Sequence, residues 1–195
     1  MTENKKPQLH VVEIKTGKVE RWTALQTAAQ ALLVESPDSV EFDRDEHIYT
    51  RRGVILPSIT QILTAEGIID TSFYTEDGRD RGKNVHLACH LFDTGQIGED
   101  EMDAETEPYL RAWISFKRDT GFIVVDSEKP LASKLYGFAG TPDRVGSFSS
   151  GNHPGRMGVE LHDDGTFKLF PFSDPQDFNL FLSILAVHNY KRKGK

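Results

Sequence analysis

Near the start of the chain, Val11-Val12-Glu13-Ile14-Lys15-Thr16-Gly17 sets an acid and a lysine two apart at the end of an apolar, β-branched run. In a strand, successive side chains point to opposite faces, so Glu13 and Lys15 share one face and Val12 and Ile14 the other. About 130 residues later, Tyr136-Gly137-Phe138-Ala139-Gly140-Thr141-Pro142-Asp143-Arg144-Val145-Gly146 offers a second carboxylate, Asp143, at a strand end. Asp, Glu and Lys gathered at one point suit metal-assisted cleavage of a phosphodiester. The carboxylates hold a hard divalent cation, and the ammonium sits beside the attacking water or the scissile phosphate. Alone, Glu13-x-Lys15 describes a charge pair on a solvated strand face equally well. Three further features shift the balance. Asp143 follows a small residue and a rigid proline, Gly140-Thr141-Pro142, where a backbone or ligand can come close. Thr16-Gly17 suits a turn near phosphate. Gln26 lies one short loop later, on a helix that should pack back across the strand.

Composition bounds the setting. The 195 residues fit one domain with a full core. With 37% hydrophobic and 27% charged residues, the chain is an ordinary globular one and too apolar to be disordered. The single cysteine, Cys89, excludes an intramolecular disulfide and a cysteine-based zinc site, and it fits a reducing cytosol. No apolar run reaches membrane-spanning length, and no apolar signal core follows Met1-Thr2-Glu3-Asn4-Lys5-Lys6, so a cytoplasmic protein without membrane contact is expected. A net charge of −7 argues against a broad basic surface that coats DNA, but leaves room for a small basic cleft in which the metal supplies part of the positive field.

These residues must be positioned by an α+β domain, a small central mixed sheet flanked by helices. Leu9 to Lys15 reads as a buried strand ended by Gly17. Thr23 to Leu33 reads as a helix, with Thr23 as N-cap, and Val34 to Ser39 as a connector around Pro37. Val40-Glu41-Phe42 and His47-Ile48-Tyr49 form a short hairpin. A helix begins at Pro57-Ser58 with Ser58 as N-cap. Asp77 to Asp93 and Pro108 to Thr120 have helical apolar spacing, the second capped by Gly121, and Gly95 to Asp103 is an acidic loop between them. Phe122 to Lys129 and Tyr136 to Val145 are strands. Ser147 to Gly155 reads as a linker. Met157 to His162 and Thr166 to Phe172 form a hairpin about Asp163-Asp164-Gly165. Pro175 to Tyr190 is the last helix, followed by the basic Lys191-Arg192-Lys193-Gly194-Lys195; its apolar stretch Phe178 to Val187 would offer an oligomer interface if exposed.

Taken together, Gly140-Thr141-Pro142-Asp143, Val12-Glu13-Ile14-Lys15-Thr16-Gly17 and Leu25-Gln26-Thr27-Ala28-Ala29 resemble the motifs of the PD-(D/E)XK nuclease superfamily, in its RecB-type and phage-exonuclease-like branch. Arg81-Gly82-Lys83-Asn84-Val85-His86 resembles that branch's upstream helix motif, whose histidine contributes to the metal site. The resemblance covers most of the chain and implies a restriction-endonuclease-like core over residues 1–195. It implies a Mg²⁺- or Mn²⁺-dependent deoxyribonuclease of phage or prophage type, acting in recombination, repair or DNA end processing. Asp143, Glu13, the Ile14 carbonyl and His86 would hold the ion, the imidazole favouring Mn²⁺ somewhat. Lys15 would orient the water or stabilise charge on the phosphate. Gln26 would hold Lys15, a phosphate or a base edge. Arg79, Arg81, Lys83 and Arg144 would bind flanking phosphates. Glu128 would face the site or simply pair with Lys129 or Lys134. DNA is the implied partner, with a recombination or replication protein and an oligomer as further ones. The alternative is a nuclease-fold module that binds DNA or a protein without cutting.

Two departures from the branch stand out. Its tyrosine four residues after the glutamine is Gln30 here, which weakens the DNA-contact part of the resemblance and leaves the metal site untouched. The order also differs: the Glu-x-Lys strand and its helix (Leu9 to Leu33) precede the segment from Val40 to Gly146 that carries Asp143. This is a segment transposition, with joins at 34–39 and 147–155. The chemistry survives it only if Leu9 to Lys15 lies beside Tyr136 to Val145.

Overall fold

The computed structural model describes residues 8–70, 75–99, 101–149, 151 and 153–193. The leader reading at Met1 to Lys6, and Asp100, Ser150, Asn152, Gly194 and Lys195 of the segments named above, lie outside the described residues. In chain order the elements are β1 (His10–Lys15), α1 (Thr23–Glu35), β2 (Pro37–Asp38), β3 (Glu41–Asp43), β4 (Ile48–Arg51), β5 (Val54–Leu56), α2 (Ile59–Ala65), α3 (Glu76–Asp93), α4 (Glu107–Thr120), β6 (Phe122–Ser127), β7 (Leu131–Ser133), β8 (Ala139–Gly140), β9 (Arg144–Phe148), β10 (Arg156–Leu161), β11 (Phe167–Pro171) and α5 (Gln176–Lys193). This is the expected α+β mixture. Among the described residues no helix is long and apolar enough to cross a membrane.

The main sheet has five strands in the order β11-β10-β1-β9-β6. β1 is central: it pairs parallel with β10, Glu13 opposite Gly158, and antiparallel with β9, Val12 opposite Arg144. A strand with neighbours on both edges and helices on both faces is apolar nearly throughout, which explains the run of buried residues from His10 to Ile14. On one face Val12 and Ile14 pack against Val85 and Cys89 of α3 and Leu110, Trp113 and Phe116 of α4. Burial pushes the Cys89 thiol far up, so it serves as core rather than as a nucleophile. A second core joins α1, α2 and α5 with Leu131 and Phe138. It takes Phe181, Ile184 and Leu185, the centre of the apolar stretch of α5, leaving Leu180 and Val187 exposed.

Several local expectations are corrected. Thr23 is the first residue of α1, not its cap: the cap position is Trp22, which makes no side-chain cap bond. The connector at 34–39 is shorter than expected, because α1 runs to Glu35 and Pro37–Asp38 pairs with β7. Ser58 does cap α2, in a capping box with Gln61. Tyr136 to Val145 is not one strand. Gly137 turns the chain at φ 65°, β8 lasts two residues, and Pro142, which has no N–H for a ladder, separates it from β9. β9 then continues to Phe148, into the segment read as a linker. There Phe148 packs on the rings of His10, Phe122 and His153. The hairpin of β3 and β4 gains a third strand, β5.

Candidate metal centre and cleft

The candidate residues converge at the C-terminal end of β1. Because β9 begins opposite Val12, the residue before it, Asp143, falls alongside the last turn of the β1 pleat. Its Oδ2 accepts the Ile14 N–H at 2.8 Å. His86 reaches the same spot from α3: its Nε2 lies 3.1 Å from the Ile14 carbonyl oxygen, and its Nδ1 lies 3.6 Å from Asp143 Oδ1 and 3.6 Å from Glu128 Oε1. One ligand atom from each of His86, Glu128 and Asp143 falls within 4.8 Å of the others.

Glu128 enters this group by a backbone device. The β6–β9 register shifts between Val124 and Asp126, and Glu128 itself adopts φ 52°, its N–H donating to the Asp143 carbonyl. The strand expected to run to Lys129 therefore ends at Ser127, and Glu128 turns inward. Lys129 pairs with Asp126 instead. A bulge followed by a left-handed non-glycine residue has no sequence signature, which is why residue pattern left Glu128 undecided.

Glu13 sits on the α1 side of β1 and is 2% exposed. Its Oε1 accepts from Lys15 Nζ at 2.9 Å and from Gln26, and its Oε2 accepts from Gln30 Nε2 at 2.7 Å. Gln26 thus holds the glutamate rather than Lys15. Gln30 supplies the second amide. Gln26 and Gln30 are four apart on one helix face, a spacing visible in the sequence. Glu13 is not a member of the His86–Glu128–Asp143 cluster.

The electrostatics suit a cation. Burial, then the charge of Asp143, raises the Glu13 carboxyl, against the pull of Lys15 and Gln30. Burial also raises Asp143, with Glu128 adding to it and His86, Lys15 and the Ile14 N–H opposing. Buried carboxylates that are hard to ionise together have a surplus of negative charge that a divalent ion relieves. Two carboxylates, an imidazole and a backbone carbonyl form a donor set that could hold a divalent cation. For His86, burial disfavours the charged form, but Asp143, Glu128 and Glu13 outweigh it and push its pKa up to about 9.

A metal must displace that proton, because only neutral imidazole ligates. Between pH 6.5 and about 9, Mn²⁺ affinity should therefore rise, by up to roughly tenfold per pH unit for one released proton. Titration calorimetry in two buffers of different ionisation enthalpy checks this. A pH-independent affinity without proton release would contradict it.

The cluster opens into a cleft of about 780 Å³, lined by Lys15, Thr16, Gly17, His86 and Glu128 and, from α3, by Arg79, Arg81 and Lys83. The expectation for Arg144 is corrected. It is fully buried, donating from Nε to Asp93 Oδ2 at 2.6 Å and from Nη1 to Glu128 Oε1 at 3.2 Å and to the Asp143 carbonyl at 2.6 Å. It braces the centre from behind and cannot reach a phosphate. Gly140 is close-packed for a similar reason: a Cβ there would lie 2.7 Å from Ile59 Cδ1, so the approaching group is α2 and not a ligand.

No protein-family model matches the chain, and no curated protein matches it in sequence. The functional reading therefore rests on residues and geometry.

Proposed function

We propose that the protein is a Mg²⁺- or Mn²⁺-dependent DNA nuclease with a restriction-endonuclease-like core, of the PD-(D/E)XK superfamily's RecB-type and phage-exonuclease-like branch. Recombination, repair or end processing in the cytoplasm of a bacterium or phage-infected host is the matching setting. The observation that carries the reading is the 2.8 Å hydrogen bond from Ile14 N–H to Asp143 Oδ2. It joins the Glu-x-Lys strand to the aspartate despite 129 positions of separation and a transposed order. Chemistry depends on geometry rather than on chain order, and β1 lies directly beside β9, between β9 and β10.

In this reading His86, Glu128, Asp143 and the Ile14 carbonyl hold the ion. The bound ion would lower the pKa of its water and polarise the phosphoryl group. Lys15, held by Glu13 and lying 5.0 Å from the Trp22 ring centroid, presents its ammonium at the cleft wall, where it aligns the water or offsets charge growing on the phosphate. Gln26 and Gln30 fix Glu13, and through it the lysine. Arg79, Arg81 and Lys83 bind phosphates flanking the scissile one. The water oxygen bonds to phosphorus and sheds a proton to solvent as the P–O bond to the leaving strand breaks, and the leaving oxygen takes a proton up from solvent.

One observation favours a binding module instead: both Glu13 oxygens are already occupied by side-chain donors. Cleavage of end-labelled linear single- and double-stranded DNA with Mg²⁺, Mn²⁺ or EDTA decides. The nuclease reading expects metal-dependent cutting that falls by roughly 10²- to 10³-fold in Lys15→Ala, the cost of losing one preorganised electrostatic group. DNA binding without cutting under any metal would favour the module.

A further inference from the structure

We infer that the hairpin of β3 and β4 is a base-stacking platform, on which Phe42 and His47 take an unpaired nucleobase beside the metal centre, making single-stranded DNA or a frayed end the preferred substrate. This rests on the nuclease reading and extends it to the form of the DNA.

Besides Arg79, Arg81 and Lys83, the cleft has an aromatic component. Phe42 and His47 both line it. Phe42 stacks on Tyr49 at 4.3 Å and 23°, and His47 stands edge-on to both, at 5.3 and 5.6 Å. Tyr49 is buried and its hydroxyl is 2.9 Å from Thr141 Oγ1, two residues before Asp143. One hydrogen bond therefore ties the aromatic cluster to the segment that carries the candidate ligand, and Phe42, His47, Thr141 and Glu128 line one cleft.

His47 is exposed and adopts φ 53°, a left-handed conformation that costs a non-glycine residue energy and persists where the surroundings enforce it. The turn before it, Asp43 to Glu46, is tied by Asp43 Oδ1, which accepts from the backbone N–H of Asp45 and Glu46. Of this turn's four residues only Arg44 lines the cleft, so its three acids face elsewhere and one guanidinium stands beside the rings. What this wall offers a strand is two rings for a base and Arg44 for an adjoining phosphate.

The net charge of −7 points the same way. A protein without a broad basic surface gains little from counterion release. Stacking gives affinity that is tolerant of sequence, because every base has a π-face. A cleft of about 780 Å³ has the size of a small-molecule pocket and takes one or two splayed nucleotides rather than a stacked duplex.

The test uses a short single-stranded oligonucleotide carrying 2-aminopurine, and a blunt duplex of the same sequence. Binding is measured by anisotropy with Ca²⁺ in place of Mn²⁺ to hold back hydrolysis. The full chain is compared with Phe42→Leu, which keeps an apolar contact for Tyr49, and His47→Asn, which tolerates the left-handed backbone. The inference expects the wild type to favour the single strand and to change 2-aminopurine fluorescence. Each variant should bind the strand roughly 5- to 100-fold more weakly and lose much of that signal. Preference for the blunt duplex, or variants that bind the strand like wild type, overturns it. If Mn²⁺-dependent cutting persists in that case, the nuclease reading stands without the platform. If the stacking signal depends on Phe42 but no metal permits cutting, the platform stands and the nuclease reading falls.

Discussion

Asp143→Asn should reduce metal-dependent DNA cleavage by about 10³-fold or more, the upper end of what one electrostatic group contributes, while leaving the fold intact. Asparagine can still accept the Ile14 N–H that Asp143 Oδ2 accepts at 2.8 Å, so the β1–β9 junction survives. It cannot ligate a divalent ion as an anion. Two opposed changes meet in the metal-free protein: His86 loses an attractive partner, and Glu13 and Glu128 lose a repulsive one. Its melting temperature should therefore move little. In the wild type, excess Mn²⁺ should raise the melting temperature, since a ligand bound only to the native state stabilises it. That rise should vanish in Asp143→Asn. A variant that still cuts, or still gains stability from Mn²⁺, would remove Asp143 from the metal site.

Arg144→Ala should be the most destabilising single substitution near the cleft, costing about 3–5 kcal/mol. Arg144 and Asp93 are both 0% exposed at their side chains. Asp93 collects Arg144 Nε, the Trp113 indole N–H and Lys117 Nζ, and the Arg144 guanidinium lies 5.5 Å from the Trp113 ring. Removing the guanidinium leaves a buried carboxylate with less compensation and frees Glu128 from its brace. Arg144→Lys should not restore stability, because an ammonium cannot span Asp93, Glu128 and the Asp143 carbonyl together. Urea unfolding followed by tryptophan fluorescence measures this. A loss below about 1 kcal/mol, the value usual for exposed pairs, would show that the network is not the brace described.

Legibility in the sequence followed the range of the interactions. Helices α1, α3 and α4 and the Ser58 cap are set by local composition, periodicity and capping and are readable, although the cap of α1 is not Thr23 and the Gln61 half of the capping box shows only in the structure. The shared face of Glu13 and Lys15 is readable for the same reason, as a spacing within one strand, whereas His86 stands out only through the motif resemblance. Arg144 was misread because a basic residue next to Asp143 has the same spelling on a surface or in a core; only the buried Asp93, 51 positions away, decides which it is. The strand at 136–145 was misread because apolar content outweighed the breaks at Gly137 and Pro142. Glu128 depends on a bulge whose cause is the pairing of β6 with β9 and not any residue within β6.

The central place of β1 has a consequence for how the chain is made. Both its partners come from the last third of the sequence: His10 faces Gly146, and Val11 faces Arg156. At typical synthesis rates of about 5–20 residues per second, the β1 segment waits roughly seven to thirty seconds before either edge can be satisfied. During that interval a β-branched stretch with open backbone groups is available to other chains. The ring closures that end the wait are long, and sheets built on such distant pairs assemble slowly. Chaperone demand and yield on expression at high temperature should therefore be governed by residues 9–15 more than by the stability of the finished domain.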